Sequence, residues 1–331
     1  MPTPRTAEST PPTPGGVVAV AFSGGRDSLA LLHATCRAAQ ALGLQVVALH
    51  IHHGLLADAD GWLRRAQQLC TRWRRHGWPL TLRWQRLDGQ PAPGDSIEAW
   101  ARAGRHAALA AMAAEAGASL LLLAHHRRDQ AETFVLQALR GGAPAGLSAM
   151  PRQVQRDGIT WARPWLDQPR GAIDAYVAAH RLRPVDDPSN GDVRLARNRL
   201  RLSVWPALEQ AFPHAETSLA AAAQRAQEAR AALAELAALD LALLVDGDGA
   251  LAVAGWRALS AARQANALRA WWAQQAGHSA PLAFVTRLLV EVPAKGAGTW
   301  PAGGGWACGL RRGRLQVLAP PSLSDAVGVA D

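Results

Sequence analysis

Ser23-Gly24-Gly25-Arg26-Asp27-Ser28 places two hydroxyls, two glycines and a carboxylate in six residues, directly after the apolar run 17–22. Glycine lets backbone N–H groups approach an anion without interference from a Cβ. A helix opening at Asp27 or Ser28 adds unpaired N–H donors at the positive end of its dipole. The serines contribute hydroxyl donors, and Asp27 is placed to orient the loop or to hold a magnesium ion. A turn of this kind binds phosphate. It is not the Walker loop, whose G-x-x-x-x-G-K-[ST] pattern requires a lysine, because Lys295 is the only lysine in the chain. The dinucleotide pattern G-x-G-x-x-G is missing as well. The plainer alternative is a glycine turn capped by serine and aspartate.

A second cluster, His125-His126-Arg127-Arg128-Asp129-Gln130-Ala131-Glu132-Thr133, begins where a buried strand should end and runs into a helix. Asp129 and Glu132 are three apart, so they share one helical face in the first turn. They suit a cationic substrate or a metal ion, although acidic residues at a helix start are also ordinary caps. A zinc site from His125, His126 and Asp129 would lack a spaced further histidine or cysteine. In a third cluster, Asp186-Asp187-Pro188-Ser189-Asn190 reads as a turn. Arg197-Asn198-Arg199-Leu200-Arg201 follows, with Arg197 and Arg201 one helical turn apart and Arg199 turned away. That spacing fits a grip on a phosphate chain, or a solvated basic face.

The elements that must position these groups alternate. Strands are expected at 17–22, 44–52, 80–86 and 119–124, and helices at 27–42, 57–76, 95–116 and 129–140. Strands apolar throughout, separated by helices, imply a doubly wound parallel sheet, an α/β fold covered on both faces. Ligands of such sheets bind beyond the carboxyl ends of the strands, where the glycine loop and the histidine cluster both fall. Past residue 206 the texture changes to an alanine-rich stretch, 215–244, suited to a long connecting helix. Helical segments near 256–276 and 281–291 and a Gly-, Trp- and Arg-rich stretch of short strands then form a small α+β domain. The expected organisation is a disordered leader at 1–16, a catalytic domain at 17–210, a connecting helix at 211–246, a C-terminal domain at 247–320 and a tail at 321–331. Trp271 and Trp272, at helical spacing, are read as core.

The chain of 331 residues carries a net charge of +9, almost wholly from arginine, which favours a polyanionic partner such as nucleic acid. No apolar run is long enough to span a membrane. Three widely spaced cysteines, Cys36, Cys70 and Cys308, suit a reducing cytoplasm and offer no paired thiols.

The loop S-G-G-x-D-S after a strand resembles the pyrophosphate-binding loop of the PP-loop ATP pyrophosphatases. With the other clusters, the chain is similar to the tRNA(Ile)-lysidine synthetase family. The matching pieces are Ser23–Ser28, His52-His53-Gly54-Leu55, Ala99-Trp100-Ala101-Arg102 with Arg105, His125–Thr133, and Arg140-Gly141-Gly142 with Gly146-Leu147 and Met150. Arg163-Pro164-Trp165-Leu166, Asp187-Pro188-Ser189-Asn190 and Arg197–Arg201 complete the series in the family's order over about residues 17–210. The match over 298–318 to the family's small tRNA-binding domain is weaker. One departure stands out, since the family often has two acidic residues before the glutamine and here the first position is Arg128.

The resemblance implies an enzyme that uses ATP and Mg²⁺ to join free L-lysine to the wobble cytidine of a tRNA(Ile) with a CAU anticodon. It implies ATP on Ser23, Gly24, Gly25, Arg26, Asp27 and Ser28, with the magnesium near Asp27. Asp129 and Glu132 would hold the lysine ammonium, Arg102 or Arg105 would stabilise phosphate charge, and a carboxylate or His125 would act as base. Arg140, Arg197, Asn198, Arg199 and Arg201 would bind the tRNA. The rival within the same fold, a tRNA thiolase, wants paired reactive cysteines or an iron–sulfur site. The oligomeric state stays open, a homodimer included.

Overall fold

The computed structural model describes residues 15–52, 54, 58–87, 89, 97–142, 144–186 and 188–320. His53, Leu55, the expected cap at Asp95 or Ser96, Asp187, most of the leader and the tail at 321–331 lie outside them. Chain packing divides the protein into two compact units, Met1–Gln227 and Glu228–Asp331.

The first unit is the doubly wound sheet. Strands β1 (Val17–Ala21), β2 (Gln45–His52), β3 (Leu80–Arg86) and β4 (Ala118–Leu122) alternate with helices α1 (Arg26–Leu42), α2 (Ala59–Arg75) and α3 (Ile97–Glu115). Helix α4 (Arg127–Ala138) and the short α5 (Pro144–Leu147) lead to a hairpin, β5 (Gln153–Arg156) and β6 (Ile159–Ala162). The strand order is β3-β2-β1-β4-β6-β5, parallel except for β5. Val18, Val20, Val46 and Ala48 turn one face to α1 and α2, in a core with Leu29, Leu32, Ala66 and Cys70. Ala19, Val47, Leu49, Leu121 and Trp161 turn the other to Leu109 and Met112 of α3. The one-residue alternation of a strand thus explains why these strands are apolar on both faces. Gly15 and Gly16 belong to the ordered edge: Gly15 N–H donates to Gly43 O and Gly16 O accepts from Gln45.

Because helices α1 and α2 lie on one face and α3 on the other, the strand order reverses between β1 and β4. The loops that follow these two strands therefore diverge and leave a crevice, the usual ligand position in such sheets. Helix α6 (Arg170–Ala179) packs beside α1, and α7 (Ala196–Arg199), a π-helical turn (Leu200–Val204) and α8 (Trp205–Ala211) approach α4 through a small core of Ala131, Leu200 and Trp205.

Helix α9 (Ala215–Leu244), the expected connecting helix, contains the division between the units. The second unit adds β7 (Leu251–Ala252), α10 (Val253–Arg257), α11 (Ala261–Ala276) and α12 (Leu282–Glu291), then β8 (Gly298–Gly303), β9 (Trp306–Arg311) and β10 (Arg314–Leu318). Its antiparallel sheet runs β7-β10-β9-β8. Trp256, Trp271, Trp272 and Trp300 are almost wholly buried in one core with Leu268, Val285 and Leu288. A buried tryptophan removes roughly 200 Å² from water, a gross gain of about 5 kcal/mol before entropy is counted.

Candidate active site

The loop after β1 turns on Gly24, whose φ of 87° is left-handed, the region glycine enters without strain. Its carbonyl accepts from Val185, which ties the loop to the segment after α6. Gly25 is the N-cap of α1 and has no side chain to cap it, so the first-turn N–H groups face the crevice. Ser28 Oγ donates to Gly25 O at 3.0 Å and lies 3.0 Å from Ser23 Oγ, which shapes the loop from within. His50 Nδ1, 2.9 Å from Phe22 O, fixes the chain just before it. Arg26 is held outward by Asp174 of α6, at 2.5 Å.

Across the crevice, the segment after β4 opens α4. Asp129 Oδ2 accepts from the His126 N–H at 3.0 Å, the ordinary cap that its position allows. The His126 ring, 2% exposed, lies between two carboxylates, with Nε2 3.5 Å from Asp129 Oδ2 and 3.9 Å from Asp27 Oδ2. This histidine joins the two clusters. Nothing in the residue pattern prefers it to His125, because neighbours on an extended segment differ only in which way they turn. Burial pushes the Asp27 carboxyl above its ordinary value despite the opposing pull of His126. Asp27 Oδ1 is buried without a hydrogen-bond partner, an anionic oxygen that fits a divalent cation held against nucleotide phosphates. Among the described residues, no group of three or more histidine, cysteine or acidic side chains forms a metal cluster, which leaves the zinc alternative without support.

Glu132 is fully buried and Asp129 nearly so. Both are met by arginines of the third cluster. Arg201 Nε donates to Glu132 Oε1 at 2.7 Å and its Nη2 to Asp129 Oδ1 at 2.6 Å. Arg197 donates to Thr133 Oγ1 at 2.6 Å, and its Nε lies 3.4 Å from Glu132 Oε2. Burial raises Asp129, but His126, His125 and Arg201 pull it back below its ordinary value. The pair expected to receive lysine and the arginines expected to grip tRNA are therefore partners of each other. This corrects the separation drawn from the sequence, in which a helical turn presents Arg197 and Arg201 to an external phosphate chain. Asn198 is corrected too: it is buried and donates to Asp192 O at 3.1 Å. Arg140 and Arg199 remain exposed, as does Arg102 on α3; Arg105 is exposed and has a partner. Burial pushes His125 down to about 3, helped by the charges of Arg163, Arg197 and Arg102, with Asp129 opposing. A ring so weakly basic is a poor proton acceptor at neutral pH.

Comparison with known proteins decides the family. The PP-loop domain matches residues 5–208, and the TilS substrate binding domain matches residues 251–316. The tRNA(Ile)-lysidine synthase of Bordetella pertussis is 41% identical over 277 residues, 82% of this chain and 84% of that protein. The chain belongs to the tRNA(Ile)-lysidine synthase family. The family's enzyme from Ralstonia nicotianae is 51% identical over 263 residues, and that from Xanthomonas axonopodis pv. citri 44% over 276. The chain spans 55% and 60% of the length of these two relatives. Among solved structures, the U34-tRNA thiolase NcsA from Methanococcus maripaludis, with its [4Fe-4S] cluster, shares the fold at TM-score 0.54 and 16% identity, over 65% of this chain and 73% of that one. In this family member Cys36 and Cys70 lie in the sheet core and Cys308 in the core of the second unit, each with its thiol pushed up to about 12 by burial.

Proposed function

We propose that the protein ligates free lysine to the wobble cytidine of a tRNA(Ile) with a CAU anticodon, consuming ATP and releasing AMP and pyrophosphate in the cytoplasm. The observation that carries this reading is the meeting of the phosphate loop and the Asp129–Glu132 segment at the switch point of the sheet, bridged by His126 between Asp27 and Asp129.

The loop Ser23–Ser28 would receive the ATP phosphates on its glycine backbone, its serine hydroxyls and the start of α1. Asp27 would hold magnesium, which when bound shields phosphate charge. The cytosine carbonyl oxygen attacks the α-phosphorus, the bond to the bridging oxygen breaks and pyrophosphate leaves. The base must be splayed from its loop to reach the crevice, the usual mode for single-stranded RNA. Arg102 or Arg105 would stabilise the charge that develops on phosphate. The ε-amine of lysine then adds to the activated ring carbon and AMP departs. Because the amine must first lose its proton, a carboxylate of the pair is a better candidate acceptor than His125, whose buried ring resists protonation. Arg201 and Arg197 hold the two carboxylates in place through ion pairs, so lysine has to share or displace those contacts. Arg140 and Arg199 are the exposed arginines left to meet the tRNA backbone.

The test is to incubate purified protein with ATP, labelled lysine and bulk bacterial tRNA. Label should enter the RNA, with AMP and pyrophosphate formed in step with it. RNA that contains the CAU isoleucine acceptor yet stays unlabelled would overturn the reading.

A further inference from the structure

Arg163 is a buried cation with no anion beside it among the described residues. It directly follows β6 and is only 8% exposed. One guanidinium nitrogen, Nη1, donates to Pro151 O at 2.8 Å, while Nε is buried and makes no hydrogen bond. Burial, helped by the positive charges of Arg156 and Arg102, brings it down to about 10. Among the described residues, no carboxylate pairs with it. A buried charge left uncompensated is strongly unfavourable, so a group retained in that state marks a place where a ligand completes the electrostatics.

Its position follows from strand register. Leu121 pairs with Trp161 across β4 and β6, and Leu123 N–H donates to Ala162 O. Ile159 and Trp161 on one strand, and Leu121 and Leu123 on the other, turn to the α3 side of the sheet in a single apolar core. The next residue of each alternating row is Arg163 and His125, so both rows change from apolar to polar at the carboxyl edge, where ligands bind. His125 Nδ1 is likewise buried without a hydrogen-bond partner. Two buried nitrogens without hydrogen bonds thus lie near one another beyond the carboxyl edge of the sheet, close enough for the Arg163 charge to act on His125.

We propose that Arg163, with His125 beside it, is the oxyanion receptor of this crevice. It takes either the α-carboxylate of the free amino acid or a phosphate of the nucleotide. This inference rests on the ligase reading above. The planar guanidinium suits two parallel hydrogen bonds to either group. With a carboxylate there and the ammonium at Glu132, both charged ends of lysine would be read.

The test compares wild type with Arg163→Met, which keeps bulk and removes charge, and Arg163→Lys, which keeps charge and loses the fork. KM is measured for lysine, for 1,5-diaminopentane (lysine without its carboxylate) and for ATP, beside thermal melting. If the carboxylate is the ligand, Arg163→Met raises KM for lysine about tenfold or more, leaves the diamine unchanged and spares ATP. If a phosphate is the ligand, KM for ATP rises by that factor and lysine is spared. Arg163→Lys falls between wild type and Arg163→Met, and supplies the measurement should the methionine variant fail to fold. A folded variant with both KM values unchanged overturns the proposal and returns Arg163 to a structural link with Pro151. Wild type that incorporates no lysine overturns the ligase reading instead. The receptor is then judged on equilibrium binding of ATP and of lysine, where equal affinities in wild type and Arg163→Met sink it.

Discussion

Asp27 answers to two demands that oppose each other. It faces the phosphate loop with one buried, unpartnered oxygen, and its environment resists the charge that a cation ligand must carry. Burial, with Asp129 nearby, raises its folded pKa above the unfolded value although His126 pulls the other way. A carboxyl raised in this sense contributes stability below its unfolded pKa and loses it as pH rises through the folded value. At pH 7 the ionised side chain is thus a burden on the fold. Asp27→Asn should melt higher than wild type at pH 7, with the difference closing toward pH 4. Pyrophosphate release should meanwhile fall by about 100-fold, the scale for removal of a group that stabilises charge in a transition state. Melting curves at the two pH values and a tRNA-dependent pyrophosphate assay check both halves. An asparagine variant that melts lower at pH 7 would make Asp27 a structural residue.

Helix α4 delivers Asp129 and Glu132, and the elements around it explain the departure at Arg128. Its guanidinium pairs with Glu209 of α8 and Glu216 of α9 and lies 4.7 Å from the centre of the Trp205 ring. Arg127 also donates to Glu216, at 2.9 Å. An acidic residue at 128 would face two glutamates, with Arg127 left as the one cation paired to Glu216 and none paired to Glu209 among the described residues. Arg128→Asp should therefore destabilise the protein by about 2 kcal/mol, because it breaks a largely buried ion pair and removes the cation from the Trp205 face. Chemical denaturation followed by tryptophan fluorescence measures this, and an unchanged midpoint would show that the clamp is idle. The clamp is invisible in the sequence because its partners lie 81 and 88 residues away. Local signals are legible: β3, with its alternating Leu80-Thr81-Leu82-Arg83, and the alanine-rich α9 stand where pattern puts them, since each declares its own period. The β5–β6 hairpin is absent from the expected strands, although its Asp157-Gly158 turn, with φ of 50° and 76°, is the chemistry a tight hairpin uses. In the site, types and spacing locate the loop and the carboxylates. The pairing of Arg201 with Glu132, the bridging by His126 and the isolation of Arg163 all arise where separate segments meet.

Across the whole chain, the net charge of +9 is an excess of cations over carboxylates, and the ion pairs decide which arginines are open to a polyanion. Arg26, Arg127, Arg128, Arg197, Arg201, Arg263 and Arg287 are tied to carboxylates, and Lys295 to Glu291. In the second unit, the turn between β9 and β10 keeps Arg311 and Arg312 exposed, with Arg312 at φ 50° and Gly313 at φ 73°. An arginine held left-handed at a hairpin tip bears a conformational cost that asparagine bears more easily, which makes Arg312→Asn a mild replacement for testing the charge. If this tip meets tRNA phosphates, Arg311→Gln with Arg312→Asn should weaken tRNA binding. The slope of log K against log salt should flatten by roughly 1.4 to 1.8 units, at 0.7 to 0.9 for each phosphate no longer neutralised. ATP affinity should not move, because the phosphate loop belongs to the other unit. Arg201→Ala supplies the contrast: its charge is already taken up by Asp129 and Glu132, so KM for lysine should rise while the salt slope stays as in wild type. Filter binding across a salt series reads both. A flattened slope in Arg201→Ala with none in the hairpin variant would reverse the assignment and place the tRNA grip on the third cluster, in keeping with its spacing.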